Sequence, residues 1–331
     1  MAEVSVVIPT WNREDLLRII LENLQNQLRP PEQIIVVDNG STDNSRDVAR
    51  QFGADLLAFP ENRGFAVAVN EGIKQASGDW IFILNNDVVL QRDWIWQALQ
   101  TAKDENASFI VGKLLRPNGK AEIDGSWDLI SRAAYAWRSG YGKPDGPVWS
   151  TRRRVYSAPM TAALFHRGVF DRIGLLETRF ESYYEDVDFG IRCALAGVTG
   201  VYEPAAVATH MSKTTLGKSS RRVYFLSARN QVLILAKYYS AKTLWRFAWP
   251  ILIGQLLALL AAAKQRNFWA ALRGKWAALK AWRHFRTSTD ASSRRRIEAA
   301  FSDSEREIQS LQRQVGFDPY WKLYFSLVRP G

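Results

Sequence analysis

The residues best suited to chemistry fall into four clusters. In the first, Asn85-Asn86-Asp87 interrupts an apolar run that starts at Ile81-Phe82-Ile83-Leu84 and resumes at Val88-Val89-Leu90. A run of that kind suits a strand buried on both faces. A carboxylate with amide neighbours at its end would lie where open α/β sheets bind ligands. Hard oxygen donors of this type suit Mg2+ or Mn2+ carrying a phosphate better than zinc. The alternative is a plain polar turn, for which Asn and Asp are equally good residues. The second cluster is Glu181-Ser182-Tyr183-Tyr184-Glu185-Asp186-Val187-Asp188, with four carboxylates in eight residues and Arg192 nearby. On a helix, Glu185, Asp188 and Arg192 share a face and Asp186 points elsewhere. Crowded carboxylates raise some of one another's pKa values, which suits a general base; the alternative is an acidic first helical turn. The third, Asp38-Asn39-Gly40-Ser41-Thr42-Asp43, offers a carboxylate to a base N–H or a ribose hydroxyl, or simply an N-cap and tight turn. The fourth is His210, either a structural histidine or the partner of Asp87 around a cation.

Strand–helix alternation would position these clusters. Val4 to Pro9, Gln33 to Val37, Leu56 to Phe59 and Ile81 to Leu84 read as strands. Glu14 to Gln27, Ser45 to Phe52 and Ala66 to Ala76 read as the helices between them. Short loops between such units imply a doubly wound sheet with parallel strands. Each strand ends in polar residues: Thr10 and Asn12, Asp38 and Asp43, Glu61 and Asn62, Asn85 and Asp87. They converge on one edge of the sheet. Residues 110–156 are irregular and rich in Gly, Trp and Arg, and are expected to form loops and a hairpin covering the site. Thr199 to His210 reads as the last strand.

The 331 residues suffice for one large α/β domain and an appendage. One cysteine, Cys193, excludes an intramolecular disulfide framework and a Cys-rich metal site. The N-terminus runs straight into a strand pattern without a signal-peptide profile, so a cytoplasmic compartment is expected. The net charge of +11 is uneven: about −5 over residues 1–206, about +16 over 207–300 and about zero beyond. Lys213 to Arg222 reads as a mobile basic loop, and Tyr224 to Tyr239 as a helix. Phe247 to Ala263 is a run of about 17 residues without a charge, at the low end for a membrane span. In Lys264 to Arg286, Trp269, Leu272, Trp276, Leu279, Trp282 and Phe285 recur at helical spacing among Arg and Lys. That pattern describes a helix lying in a membrane interface. Base stacking on the aromatics is the nucleic-acid alternative, but it leaves the uncharged run without a role. Ser292 to Val315 is a final helix with Ile297, Phe301, Ile308, Leu311 and Val315 on a narrow stripe, a candidate homodimer seam.

Several stretches together resemble family 2 glycosyltransferases: VSVVIPTWNRED, IIVVDNGSTDNS, ENRGFAVAVNEGI, SGDWIFILNNDVVL, and RFESYYEDVDFGIRCALAG followed by VATH. The nearest likeness is to the bacterial rhamnosyltransferase-like subgroup that assembles O-antigen and other surface polysaccharide. It shares the Asn-Arg-Gly-Phe turn, the Glu-Asp-Val-Asp block and the later Arg229-Asn230. The resemblance implies the GT-A fold, a doubly wound, Rossmann-like mixed sheet in residues 1–211, followed by a helical, membrane-associating region in 212–331. It implies that Thr10 and Asn12 line a nucleotide pocket and that Asp38 contacts the base. Asn62, Gly64, Asn70, Asn86 and Arg192 would serve the nucleotide sugar. Asp87 and His210 would hold the metal, Mg2+ or Mn2+. Asp186 would be the general base, with Glu185 beside it shaping the acceptor site. The sequence departs from the family pattern in three places. The first carboxylate of Asp-X-Asp is Asn85, Leu175-Leu176-Glu177 replaces the usual Gly-Phe-Asp-Glu, and no Gln-X-X-Arg-Trp follows, so processive synthesis is not expected.

The function expected is inverting, metal-dependent transfer of a sugar, L-rhamnose from dTDP-rhamnose in the subgroup's case. A dTDP- or UDP-sugar is the donor and a polyprenyl-diphosphate-linked glycan the acceptor, at the cytoplasmic face of the membrane. The partners are then these two substrates and an anionic membrane surface, with no nucleic acid. Two alternatives stay open: a nucleotidyltransferase, for which Thr10-Trp11-Asn12 is a poor phosphate loop, and a membrane-bound scaffold with a degenerate site.

Overall fold

The computed structural model describes residues 2–117, 119–211, 220–287 and 290–329. The chain divides into two units, Met1–Trp127 with Gly140–Thr215, and Asp128–Ser139 with Leu216–Gly331. Most of the loop expected over Lys213 to Arg222 lies outside the described residues.

The first unit begins with β1 (Val4–Thr10), α1 (Glu14–Gln25), β2 (Gln33–Asp38), α2 (Ser45–Gln51), β3 (Asp55–Ala58) and α3 (Phe65–Gln75). It continues with β4 (Trp80–Leu84), β5 (Val88–Leu90), α4 (Trp94–Asp104), β6 (Phe109–Leu115) and β7 (Ile123–Gly125). A hairpin of β8 (Asp128–Ile130) and β9 (Ala136–Arg138) then belongs to the second unit. The first unit resumes with β10 (Arg153–Val155), β11 (Ala162–His166), α5 (Arg167–Ile173), α6 (Glu185–Leu195) and β12 (Gly200–His210).

These strands form one sheet in the order β10-β12-β6-β11-β4-β1-β2-β3, with β5 paired to β12 and β7 to β6. The apolar runs read from the sequence are its centre: Val6, Val7, Ile8, Val36, Val37 and Ile81 to Leu84 are fully buried. The helices cover them with apolar stripes; α1 buries Leu16, Leu17, Ile20, Leu21 and Leu24. β1 runs parallel to β2 and β4. β11 enters antiparallel between β4 and β6. The sheet is therefore mixed rather than wholly parallel. Residues 110–156 are not only loops: they hold most of β6, a strand in the middle of the sheet.

The second unit is helical: α7 (Arg221–Tyr238), α8 (Ala241–Arg246), α9 (Ala248–Lys264), α10 (Phe268–Phe285), α11 (Ala291–Val315) and α12 (Pro319–Leu327), with the β8–β9 hairpin. A buried ion pair fastens the hairpin. Glu305 Oε1 accepts from Arg132 Nε at 2.8 Å, and Glu305 Oε2 accepts from the Arg132 amide and from Tyr324 Oη, both at 2.8 Å. The stripe of α11 is covered within the unit: Ile297, Phe301, Ile308 and Leu311 are buried. The surface expected to make a homodimer seam is thus already in use.

The uncharged run at 247–263 becomes α9, whose apolar residues face two ways. Ile253, Gly254, Leu257 and Ala262 are buried, whereas Trp249, Leu252, Leu256 and Leu260 are exposed. Among the described residues, no helix is long and apolar enough to cross a membrane. α10 is built the opposite way from an ordinary amphipathic helix. Its small residues Ala271, Gly274 and Ala278 are buried against α7, and Trp269, Leu272, Trp276 and Leu279 point outward. The close approach explains the glycine: a Cβ on Gly274 would stand 2.2 Å from the Phe225 carbonyl oxygen.

Candidate functional site

Along the C-terminal ends of β4, β1 and β2, the expected polar residues are drawn together. Asn86 donates from Nδ2 to Thr10 Oγ1 at 2.8 Å, both buried. Asp87 ends the turn into β5, whose pairing sets Val88 opposite His210 on β12. The Met211 amide donates to the Asp87 carbonyl at 2.7 Å. His210 Nε2 thereby lies 3.1 Å from Asp87 Oδ2.

Behind the ring, His210 Nδ1 lies 2.6 Å from Asp124 Oδ2, a partner from β7. Asp124 was not expected from the sequence; its neighbour in space is 86 positions away, and nothing local marks it. Burial alone would lower the His210 pKa, but the hydrogen bonds and charges of Asp124 and Asp87 outweigh it and raise the value to about 9. A carboxylate on Nδ1 fixes which ring nitrogen faces forward, as carboxylates behind metal-ligating histidines do.

Among the described residues, no group of three or more His, Cys, Asp or Glu side chains is arranged to hold a metal ion. Asp87 and His210 supply two donors. That fits a Mg2+ or Mn2+ site of the kind completed by a substrate's phosphate oxygens, and not an all-protein cage. Asn85, in place of the first carboxylate, leaves its Oδ1 buried without a hydrogen-bond partner.

The loop after β2 is a tight hydrogen-bonded assembly. Asn12 Oδ1 accepts from the Thr42 amide at 2.7 Å, and the Asn12 amide donates to Ser41 Oγ at 2.9 Å. Asp38 is fully buried, with Arg46 Nε 2.6 Å from Oδ2 and the Ser41 amide 3.2 Å from Oδ1. Both carboxylate oxygens of Asp38 are thus engaged within the protein. The N-cap of α2 is Asn44 rather than Asp43; Asp43, one residue earlier, accepts from the Ser45 amide two residues on, as in an Asx turn, and from the Glu14 amide. Burial would raise its pKa, yet the bonds from Ser45 and Glu14 lower it overall. Asn39 ties this loop to the turn after β3: its Nδ2 donates to Asn62 Oδ1 and to the Gly64 carbonyl, and its Oδ1 accepts from the Arg63 amide.

The acidic cluster meets that same turn. The Ala66 amide donates to the Glu181 carbonyl, and Gly64 packs against Glu181. Glu181, Tyr183 and Tyr184 all take positive φ, of 64°, 67° and 71°. Such conformations cost a non-glycine residue about 1 kcal/mol or more each, and concentrate at functional sites. They deliver Glu185 and Asp186 to the first turn of α6. Glu185 is buried and Asp186 half-buried, while Asp188 is sealed beneath with Arg192 at 3.0 Å. Glu185 and Asp188 thus share the buried face and Asp186 lies off it.

Asn70 and Arg192 sit elsewhere. Asn70 closes both amide hydrogen bonds, at 2.9 Å each, on the backbone of Leu176. Arg192 donates to the carbonyls of Ile173 and Leu175. Both brace the segment that leads into the acidic loop.

The fold is shared with solved glycosyltransferases of the GT-A class. Over 96% of this chain and 59% of the other, the chain resembles GalNAc-T7, solved with UDP, GalNAc and Mn2+ (TM-score 0.63, 13% identity). Over 98% and 86% it resembles the mannosyltransferase PcManGT of Pyrobaculum calidifontis, solved with GDP-Man and Mn2+ (TM-score 0.52, 19% identity).

The pattern of glycosyl transferase family 2 matches residues 5–174, more than half of the chain, and the chain belongs to that family. Glu185, Asp186 and His210 lie beyond the matched stretch. Among relatives, the putative glycosyltransferase EpsH of Bacillus subtilis is 35% identical over 57% of this chain and 55% of its own length. The N-acetylglucosaminyl-diphospho-decaprenol L-rhamnosyltransferase of Mycobacterium tuberculosis is 26% identical over 72% of this chain and 85% of its own. The O-antigen biosynthesis protein RfbC of Myxococcus xanthus is 26% identical over 59% of this chain, a match spanning 16% of that longer protein.

Proposed function

We propose that the protein transfers a sugar, with inversion, from a nucleotide diphosphate to a lipid-linked glycan in the synthesis of a cell-surface polysaccharide. The observation that carries this is the meeting of Asp87 and His210 at the strand ends, 3.1 Å apart. Together with the donor's diphosphate oxygens, these two side chains would hold Mg2+ or Mn2+. When bound, the ion neutralises the charge on the leaving diphosphate.

The protein's own part is orientation and proton transfer. Thr10, Asn12 and Asn86 frame the nucleotide end, and Asn39 holds the Asn62–Gly64 turn beside it. Asp186, half-buried at the start of α6, takes the proton from an acceptor hydroxyl. The hydroxyl oxygen bonds to the anomeric carbon as the bond to the diphosphate breaks and its electron pair leaves with the diphosphate. Attack from the opposite face inverts the configuration. Glu185 shapes the acceptor side.

The mycobacterial relative, whose name specifies an L-rhamnosyl transfer to a diphospho-decaprenol-linked sugar, supports rhamnose from dTDP-rhamnose as donor sugar and a polyprenyl-diphosphate glycan as acceptor. The exposed aromatic and basic residues of the second unit support attachment to an anionic membrane surface on its cytoplasmic side.

Calorimetric binding of dTDP, UDP and GDP, each with and without Mn2+, tests the site. Metal-dependent binding of one nucleotide, lost in Asp87→Ala, is expected. If no nucleotide binds with or without metal, the family fold carries a degenerate site and the scaffold reading takes its place. The neutral Asn85 in place of a carboxylate is the observation that favours that second reading.

A further inference from the structure

The second unit holds a concave feature that the transfer reaction does not use. α7 and α10 run side by side in the same direction: Gly274 abuts Phe225, and just past the C-terminal end of α10 Thr287 Oγ1 donates to the Lys237 carbonyl at 2.7 Å. Their N-terminal turns therefore end together, and helix N-termini carry positive partial charge. Between them opens a cavity of about 650 Å³, whose lining includes Arg221, Arg222, Phe225, Arg266, Trp269 and Arg273 and no acidic residue.

Arg221, Arg266 and Arg273 have no acidic partner among the described residues. Arg266 stands in the turn between α9 and α10 at a φ of 58°, a left-handed conformation normally left to glycine or asparagine. Guanidinium groups present a planar fork of donors that matches phosphate oxygens. Trp269, 70% exposed, lies at the rim and heads the outward row Leu272, Trp276 and Leu279. Charge for a phosphate and carbon for a chain thus adjoin one another, Arg273 and the Trp269 row sharing α10.

We propose that this cavity binds the phosphate or diphosphate headgroup of a membrane amphiphile, the arginines holding the phosphate oxygens and the Trp269 row receiving the hydrocarbon. The choice of an amphiphile over a soluble phosphate rests on the reading of the second unit as membrane-facing; the anion chemistry does not.

The test titrates the full-length protein with geranyl diphosphate and with inorganic pyrophosphate, without divalent metal so that the Asp87 site is silent. The wild type is compared with Arg221→Gln/Arg266→Gln/Arg273→Gln, and with Arg294→Gln/Arg295→Gln/Arg296→Gln on α11, which removes the same charge elsewhere. The wild type should bind geranyl diphosphate more tightly than pyrophosphate. The cavity variant should lose about a thousandfold and the α11 variant little, since each of the three charge-assisted contacts accounts for about tenfold. Equal affinity for the two ligands would overturn the amphiphile as the source, and no binding by the wild type would overturn the site. An equal loss in both variants would reduce it to diffuse charge. Nucleotide binding with Mn2+, measured on the same cavity variant, should be unchanged, so that failure of the cavity and failure of the donor site are read separately.

Discussion

His210 and Lys275 are both cationic groups withdrawn from water, one in each unit, and their surroundings treat them oppositely. His210 lies between the carboxylates of Asp124 and Asp87 and its pKa is raised to about 9. Lys275 is buried against the side-chain oxygens of Gln231 and Gln255, and burial alone lowers its pKa to about 8. The first unit collects opposite charges and hydrogen-bonding groups at one edge of its sheet. The second buries a charge among neutral amides and leaves Trp249, Trp269 and Trp276 of α9 and α10 exposed. In the first, polar groups are held against one another; in the second, carbon is left exposed.

That contrast can be broken most sharply at Asp186. Asp186→Asn should lower turnover by about 10²–10⁴-fold, the usual share of a general base, while nucleotide binding measured by calorimetry stays as in the wild type. Full activity in the variant would remove the base from the first unit. Next comes the buried pair of the second unit. Glu305→Ala leaves Arg132 buried without its carboxylate and should cost about 3–5 kcal/mol in chemical denaturation. A cost below about 1 kcal/mol would mean that water reaches the pair.

Lys275 gives a pH signature. Its folded pKa lies below the ordinary 10.5, so the unfolded chain binds more protons between pH 8 and 10.5 and stability rises with pH across that window. The gain should approach about 3 kcal/mol, and Lys275→Met should abolish the difference. Equal slopes in wild type and variant would place the ammonium in water. The smallest effect on folding is expected at the exposed row. Trp269→Ser/Trp276→Ser should leave stability within about 0.5 kcal/mol yet weaken sedimentation with phosphatidylglycerol vesicles about tenfold. Unchanged vesicle binding would leave the outward tryptophans without a role.

The sequence made the left half of the sheet easy to see and the right half hard. β2 and β4 carry unbroken apolar runs and β1 is broken only by Ser5, so their type and their polar ends could be read directly. β6 is equally buried but carries Gly112 and Lys113 at its centre. Gly112 is there because a Cβ would stand 2.1 Å from the Ala206 carbonyl oxygen, where β12 bulges. Lys113 is there because Asp145 pairs with it at 2.7 Å. Both exceptions depend on residues far along the chain. Likewise α10 shows a strong helical period, and the period alone did not reveal that its small residues are the buried face. At the site, Asp87, His210 and the Glu185-Asp186 loop were legible from residue type, whereas Asp124, Arg46 and Asn39 act through partners that only the fold supplies.

The hairpin at 128–139 has a consequence for how the chain comes into being. Glu305 is 173 positions beyond Arg132, so at roughly 5–20 residues per second a ribosome needs on the order of 10–30 s to produce it. Through that interval Leu129, Ile130 and Trp137 are in the cell without the helices that cover them. A chaperone that binds short apolar strands would find its target there, and a message cut short after the sheet would release a polypeptide with that hairpin permanently bare.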